Sequence, residues 1–233
     1  MTARQVVNSL KALSSPGEAA KVRRFFRGND DGGAPDNRIM GVAFGKVFAV
    51  AKQFIQTPLA EIETLLESPF YEARLAGVSI MDFQARRRAT TPAQRQALFD
   101  LYLRRHDRIN NWDLVDRAAP HVVGRHLIDG RRDVLYRLAR SPNPWERRTA
   151  IVSTYYFIRS GDVAETFGIA ALLVDDRHEL VQKAAGSWLR EAGKQDRAQL
   201  VRFLDTYAAR MPAVMVRYAS ENIGGRGRAT RSP

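Results

Sequence analysis

The sequence predicts an all-α fold in which pairs of helices stack into a curved solenoid with a basic concave surface. Nearly every segment carries apolar residues at the three- and four-residue spacing of a buried helix face. No segment shows the two-residue alternation of a half-buried strand, and the β-prone run at 153–157 falls inside a helical pattern. The helix pairs recur every ~31 to 42 residues, which is the range of two-helix solenoid repeats.

In chain order, the apolar pattern predicts helices at 58–66, 69–88, from Thr91, from Asn111, and at 132–140, 144–159, 163–174, 178–192, 197–209 and 212–222. Pro92 occupies a first-turn position, where proline is favoured because an N–H there has no helical partner. Asn111 is a good N-cap, and Pro120 interrupts the helix that follows it. A further helix at the N-terminus is expected to end near Phe26.

Two segments lie outside this helical order. Residues 27–37 form a glycine-rich loop, and residues 224–233 form a basic tail without secondary structure. The tail either adds sequence-independent phosphate contacts or is simply a solvated chain end. We therefore expect one domain over residues 1–223, followed by a disordered tail.

The composition points to an anionic partner. The 233 residues include 37 Lys and Arg against 25 Asp and Glu, which gives a formal charge of +12 and a pI of about 10.5. Such an excess favours nucleic acid, an anionic membrane or an acidic protein. No apolar run is long enough to span a bilayer or to form a signal peptide. We expect a soluble cytoplasmic protein, and the composition does not choose among these partners.

The residue types also limit the chemistry. The chain has no cysteine, which excludes disulfides, thiolate nucleophiles and thiolate metal sites. Its four histidines lack the paired spacing of a catalytic zinc site. These residue types therefore argue against a catalytic zinc.

The segment around Trp112 and Asp116 is the best candidate for catalysis. Residues four apart on a helix share a face, so the aromatic ring and the carboxylate lie together. The apolar face of this helix is centred on Val115 and Ala118, which leaves Trp112 and Asp116 on its flank. A carboxylate beside an aromatic ring, in a basic protein, suits stabilisation of a cationic sugar in DNA. The alternatives are a surface carboxylate favoured by the helix dipole and a tryptophan packed in the core.

Three motifs in order resemble the AlkC/AlkD family of DNA alkylation-repair glycosylases, which are built from HEAT-like helical repeats. They are WDLVD at 112–116, WERRTA at 145–150 and QKAAGSWLRE at 182–191. The segments at 41–42 and 79–82 also fit, and the resemblance extends over about residues 25–222.

The resemblance implies a monofunctional enzyme without a cofactor. Its substrate would be duplex DNA that contains purines alkylated at a ring nitrogen, such as 3-methyladenine and 7-methylguanine, and its product an abasic site. The family engages these lesions without full base flipping. Asp116 would be the catalytic carboxylate and Trp112 would pack on the deoxyribose. Arg148 would contact a phosphate beside the lesion, or pair with Asp116 in the free protein. We expect a monomer.

Further basic residues are candidates for DNA contacts. Lys183 and Arg190 either contact the backbone or are solvated, and Arg74 is a candidate to face a duplex. The run at 86–88 either compensates the helix dipole at a helix end or adds nonspecific DNA affinity.

The sequence departs from the family pattern at two places. Ser187 stands where the motif has a DNA-contacting tryptophan, and Trp188 follows it, turned by about 100° on a helix. Phe44, beside Gly45, stands where the family has polar residues near the unmodified strand. The serine at position 187 motivates one alternative, a noncatalytic protein of the same fold that binds unusual DNA structures. A second alternative is a repeat scaffold whose basic groove holds an acidic protein partner.

Overall fold

The computed structural model describes residues 1–27 and 37–221, which form two compact units. The first unit comprises Met1–His126 and the second begins at Leu127. The predicted tail at 224–233 and most of the predicted loop at 27–37 lie outside the described residues. The expectation of a single domain over 1–223 stays a prediction.

In the first unit the α-helices are α1 Ala3–Lys11, α2 Pro16–Arg27, α3 Phe44–Gln53, α4 Leu59–Glu67, α5 Tyr71–Arg86, α6 Pro92–Arg104 and α7 Trp112–Ala118. A 3-10 turn, His106–Arg108, precedes α7, and a π-helical segment, Ala119–Gly124, follows it. In the second unit they are α8 Asp133–Ala139, α9 Pro144–Ser153, α10 Tyr155–Arg159, α11 Ala164–Leu172, α12 Glu179–Gln195, α13 Arg197–Tyr207 and α14 Ala213–Ser220.

The prediction of an all-α fold is confirmed. Within 1–27 and 37–221 the extended pairing consists of one isolated bridge, between Arg38 and Phe70. Most helices predicted from the apolar pattern are present, with ends within a few residues of the expected ones. The helix predicted from Thr91 is present as α6, with Pro92 in its first turn and a capping box between Thr91 and Gln94. No helix of the described residues is long and apolar enough to cross a membrane.

The helices differ from the sequence prediction at three places. The predicted helix ending near Phe26 is present as α2, which begins at Pro16, but the sequence analysis missed α1, which precedes it. The predicted helix at 144–159 is divided at Thr154, where two hydroxyls donate to backbone carbonyls, Thr154 to Ile151 at 2.7 Å and Ser153 to Thr149 at 2.7 Å. Such hydrogen bonds compete with the regular helix. The sequence analysis also missed α3.

The first unit is built around α5, which is buried along most of its length and packs against α3, α4 and α7. The buried Glu72 accepts hydrogen bonds from the backbone N–H groups of Met40 at 2.9 Å, Gly41 at 2.8 Å and Val42 at 3.3 Å. Gly41 has φ +86°, and a Cβ there would collide with the Ser15 carbonyl. The chain that leads into α3 is thereby held against α5.

The second unit is built around α12, which packs against α9, α11, α13 and α14. Its contact with α14 is close because residue 186 is glycine. A Cβ on Gly186 would lie 2.6 Å from the Met215 carbonyl oxygen and 2.7 Å from the Tyr218 Cβ. The glycine of the third motif therefore serves helix packing in this unit.

Candidate functional site

The helix α7 presents Trp112 and Asp116 on one flank. Asn111 caps it, because its side-chain oxygen accepts the N–H of Trp112 at 2.7 Å. Val115 and Ala118 are fully buried, which confirms the predicted core face, whereas Trp112 and Asp116 are half-buried. The local geometry therefore brings a ring and a carboxylate to one partly accessible surface, one helical turn apart.

A second carboxylate, Asp113, lies in the first turn of α7. Burial and, to a smaller extent, the charge of Asp116 raise its pKa to about 6, against the lowering effect of hydrogen bonds from the Tyr71 side chain and the Leu114 N–H. Burial, with the Asp113 charge, also raises the pKa of Tyr71 well above its ordinary value. An acid in the first turn of a helix suits the helix dipole, and the sequence analysis missed the buried Tyr71, which comes from a different helix.

Arg117, the residue after Asp116, holds α7 against α3 and α5. Its guanidinium carbon lies 4.7 Å from the ring centroid of Phe48 and 4.6 Å from that of Phe83. Its Nε donates to the Ser79 hydroxyl at 3.2 Å. Cation–π contacts of this kind, partly removed from water, stabilise a fixed side-chain position.

The fully buried Asp82 on α5 completes this arrangement. Its carboxylate lies 3.1 Å from the Arg117 guanidinium, 2.9 Å from Arg86 Nε and 3.0 Å from His121 Nδ1. His121 belongs to the π-helical segment in which α7 ends, where Pro120 was predicted to interrupt the helix. Asp82 thus holds both Arg117, at the end of α7, and His121, in the π-helical segment that follows. The sequence placed Asp82 in a motif but gave no reason for it.

Two candidate DNA-contacting residues of this unit lie beside Tyr71. Phe44 is half-buried at the start of α3, with its ring centroid 6.2 Å from that of Tyr71. Arg74 is only 1% exposed, and it donates to the Ser68 carbonyl at 3.0 Å and to the Asn37 side chain. Burial, and then the like charge of Arg108, lower the pKa of Arg74 to about 10. The expectation that Arg74 faces a duplex was therefore wrong, because its guanidinium is buried and donates to groups of the first unit.

In the second unit, Arg148 lies on α9 beside the start of α12. It is 7% exposed and donates to the Leu180 carbonyl. Asn143 caps α9 by accepting the Trp145 N–H at 3.0 Å. Trp145 is buried edge-on against His178, with ring centroids 5.2 Å apart, so its ring serves packing in this unit.

The neighbouring Arg147 was not singled out by the sequence analysis. Its guanidinium forms a two-point ion pair with Asp176, at 2.6 Å and 3.1 Å, and donates to the carbonyls of Ser141 and Pro142. Asp176 also accepts the His178 N–H at 2.8 Å. A planar guanidinium suits such paired bonds, and this one ties the turn before α9 to the turn before α12.

The remaining candidates lie on α12 and are half-buried. The Lys183 ammonium lies 2.6 Å from Glu179. Arg190 pairs with Glu191 at 3.3 Å and also with Glu221. The Trp188 ring lies 5.2 Å from that of Tyr155, and Ser187 precedes it. Both cations have carboxylate partners in the free protein, so a DNA phosphate would compete with these pairs.

The two groups of candidates belong to different units. Trp112, Asp116 and Phe44 lie in the first, and the α9 and α12 residues lie in the second. Among the described residues, no group of three or more His, Cys, Asp or Glu side chains has an arrangement that could hold a metal ion.

Comparison with known proteins gives two matches. The family model described as "DNA alkylation repair enzyme" matches residues 6–223. A solved structure described as a "predicted DNA alkylation repair enzyme from Enterococcus faecalis" has a TM-score of 0.69 at 16% sequence identity, over 91% of this chain and 97% of that chain. At this identity the second match shows a shared fold alone. A comparison with curated proteins finds no match.

Proposed function

The chain belongs to the DNA alkylation repair enzyme family, and we propose that it is a monofunctional glycosylase of the AlkC/AlkD type. Its substrate is duplex DNA that contains cationic alkylated purines such as 3-methyladenine and 7-methylguanine. The observation that carries the proposal is the pairing of Trp112 and Asp116 on the flank of α7, which suits stabilisation of a sugar cation.

The proposed reaction breaks the bond between the deoxyribose C1′ and the purine nitrogen. The bonding electrons go to the base, which already carries a positive charge and leaves as a neutral molecule. The sugar becomes oxocarbenium-like, and the Asp116 carboxylate stabilises this charge. Water then adds to C1′ and loses its proton to Asp116, which leaves an abasic site.

The surroundings of Asp116 favour this role. The Trp112 ring offers a π face for the developing cation, as in cation–π contacts. Asp82 and Arg117 hold α7 at the residue that follows Asp116, so the carboxylate is positioned before DNA binds. Preorganisation of this kind is what makes electrostatic stabilisation effective.

The proposed DNA contacts come from both units. We assign Arg148, Lys183 and Arg190 to backbone phosphates, since each carries a positive charge and charge-assisted hydrogen bonds to phosphate oxygens are strong. Ser187, Trp188 and Phe44 are assigned to the DNA surface as well. Arg74 is left out because of its burial.

The proposal is tested by the release of free base from methylated duplex DNA under single-turnover conditions. We expect native protein to release methylated purines. Asp116→Asn should lower the rate at least ~10-fold, which corresponds to about 1.4 kcal/mol of barrier, with DNA affinity nearly unchanged. The matched control is Asp133→Asn, an exchange at a 72% exposed first-turn aspartate, which should keep the native rate. Equal release by native protein and Asp116→Asn would remove Asp116 from the catalytic role.

A noncatalytic DNA-binding protein of the same fold is the second candidate. It is favoured by one observation: Ser187 stands in place of a motif tryptophan, and the neighbouring Trp188 ring is beside Tyr155. Tight DNA binding by native protein without base release would support this candidate over the glycosylase.

A further inference from the structure

The C-terminal end of α5 carries more positive charge than a helix end requires. Three consecutive arginines, Arg86, Arg87 and Arg88, are exposed there, and Arg95 and Arg125 reach the same place. Cations at a helix C-terminus ordinarily satisfy free carbonyls and the helix dipole. The number of arginines at this end raises the question of what else they bind.

The ordinary needs of this helix end are already met. The Ala85 carbonyl accepts hydrogen bonds from Arg95 at 2.9 Å and from Arg125 at 2.7 Å. Arg86 pairs with the buried Asp82 at 2.9 Å. Among the described residues, no carboxylate forms an ion pair with Arg87 or Arg88. Their charges therefore remain available to an external anion.

The contacts along α5 place these two arginines relative to α7. Both α7 and the π-helical segment run beside α5 in the same direction. Asp113 is near Tyr71 at the start of α5, Arg117 contacts Ser79, and Arg125 contacts Ala85 near its end. A helix rises ~1.5 Å per residue, so Arg87 lies on the order of 12 Å along the axis from the level of Ser79. Because Asp116 precedes Arg117, its level is close to that of Ser79.

Successive phosphates of one strand advance by ~3.4 Å along the duplex axis, so this distance spans about three to four nucleotides of a duplex whose axis is parallel to α5. We propose that α5 lies along the duplex and that Arg87 and Arg88 form a phosphate-binding patch, about three to four nucleotides from the nucleotide whose sugar faces Asp116. The position of the lesion in this inference rests on the proposed function. Guanidinium groups bind phosphate oxygens through paired N–H donors, and such contacts carry no sequence preference.

The patch is tested by the salt dependence of binding to an unmodified duplex. Each neutralised phosphate contributes ~0.9 to the slope of log affinity against log salt. The double variant Arg87→Gln/Arg88→Gln should therefore lower the slope by roughly 1.8. The matched control is Arg23→Gln/Arg24→Gln, which removes the same charge from two exposed consecutive arginines of α2. The control should leave the slope at the native value.

An unchanged slope in the first variant, or an equal fall in both variants, would overturn the patch. The position is tested with duplexes that hold an abasic-site analogue and one uncharged methylphosphonate. A substitution three or four nucleotides from the analogue should weaken binding of native protein and leave Arg87→Gln/Arg88→Gln unaffected. Sensitivity at other positions alone would contradict the placement.

Failure of the patch is separable from failure of the proposed function. Release of methylated base by native protein tests the proposed function, and the salt slope of binding to an unmodified duplex tests the patch. A fall in slope without base release by native protein would support the patch and reject the glycosylase. Base release by native protein, with a native slope in the double variant, would support the glycosylase and reject the patch.

Discussion

The helices α7 and α9 begin in the same way, but their tryptophans lie in different surroundings. In each, an asparagine caps the helix by accepting the N–H of a tryptophan, Asn111 for Trp112 and Asn143 for Trp145. Trp112 remains half-buried on a flank, whereas Trp145 is 6% exposed against His178. The local sequence therefore decides where such a helix starts, and the neighbouring helices decide whether its tryptophan is available to a ligand.

The charged residues at matching positions of α7 and α9 also differ in how far they are buried. An acid follows each tryptophan, but the Oδ2 atom of Asp113 is inaccessible to solvent and the carboxyl lies near Tyr71, while Glu146 is partly exposed. One turn on, Asp116 is half-buried and Arg148 is buried against the Leu180 carbonyl. A residue's motif position thus does not determine whether its charge faces a ligand or the protein.

The largest expected effect comes from truncating the two tryptophans. Trp145→Ala should lower the free energy of unfolding by about 3–5 kcal/mol, because a large buried ring is lost. Trp112→Ala should cost less than half of that, since its ring is partly solvated. Denaturant titration of both variants, with native protein as the reference, measures the difference. The rate of excision, corrected for the folded fraction, should fall only in Trp112→Ala. Equal losses of stability in the two variants would contradict the assignment of Trp145 to the core and Trp112 to a partly solvated flank.

The next effect concerns the buried acid of α7. The pKa of Asp113 is raised from 3.8 to about 6 by burial, so the folded state binds its proton more tightly than the unfolded state does. Stability from this group is complete below pH ~4 and is lost as pH rises through about 6. Asp113→Asn should therefore stabilise the protein at pH 8, by on the order of 2–3 kcal/mol.

Thermal unfolding of Asp113→Asn and native protein between pH 4 and pH 8 checks this dependence. The gain should vanish toward pH 4, where both states of the native protein bind the proton. Glu146→Gln at the corresponding position of α9 is the control and should show no such trend. A gain that is independent of pH would mean that the Asp113 charge is not the cause.

The smallest expected effect is that of Arg148→Ala. Loss of the hydrogen bond to the Leu180 carbonyl should cost about 1–2 kcal/mol of stability, measured by denaturant titration. If Arg148 also binds a phosphate, its removal should lower DNA affinity and reduce the salt slope by roughly 0.9. The exposed Arg159→Ala in the same unit is the control. A native slope in Arg148→Ala would identify Arg148 as a structural residue only.

Sequence reasoning succeeded where an interaction is local. The Asn111 cap, the positions of Pro92 and Pro120 and the apolar face of α7 depend on neighbours within one or two helical turns. The structure confirms each of these predictions. It failed where the deciding partner lies in another helix. Arg74 was expected at a DNA surface because cations are usually solvated, but its partners Ser68 and Asn37 hold it inside the unit.

The candidate site shows the same division. The sequence alone places Trp112 and Asp116 on one helix face, since their spacing and the helical period are enough. It could not show that Arg117 lies between the rings of Phe48 and Phe83, or that Asp82 is fully buried beside it. These contacts join residues more than thirty positions apart, and no local pattern encodes such pairs.

The sequence by itself determined the helical character of this protein, the starts of most helices, its strong positive charge and the spacing of the candidate catalytic pair. Each of these follows from short-range periodicity or from composition. Only the tertiary structure decided which charges are enclosed and which are exposed, as Arg74 and Arg87 illustrate. The physical reason is that burial is a property of packed neighbours: the free energy of a charged side chain depends on which distant groups replace its water.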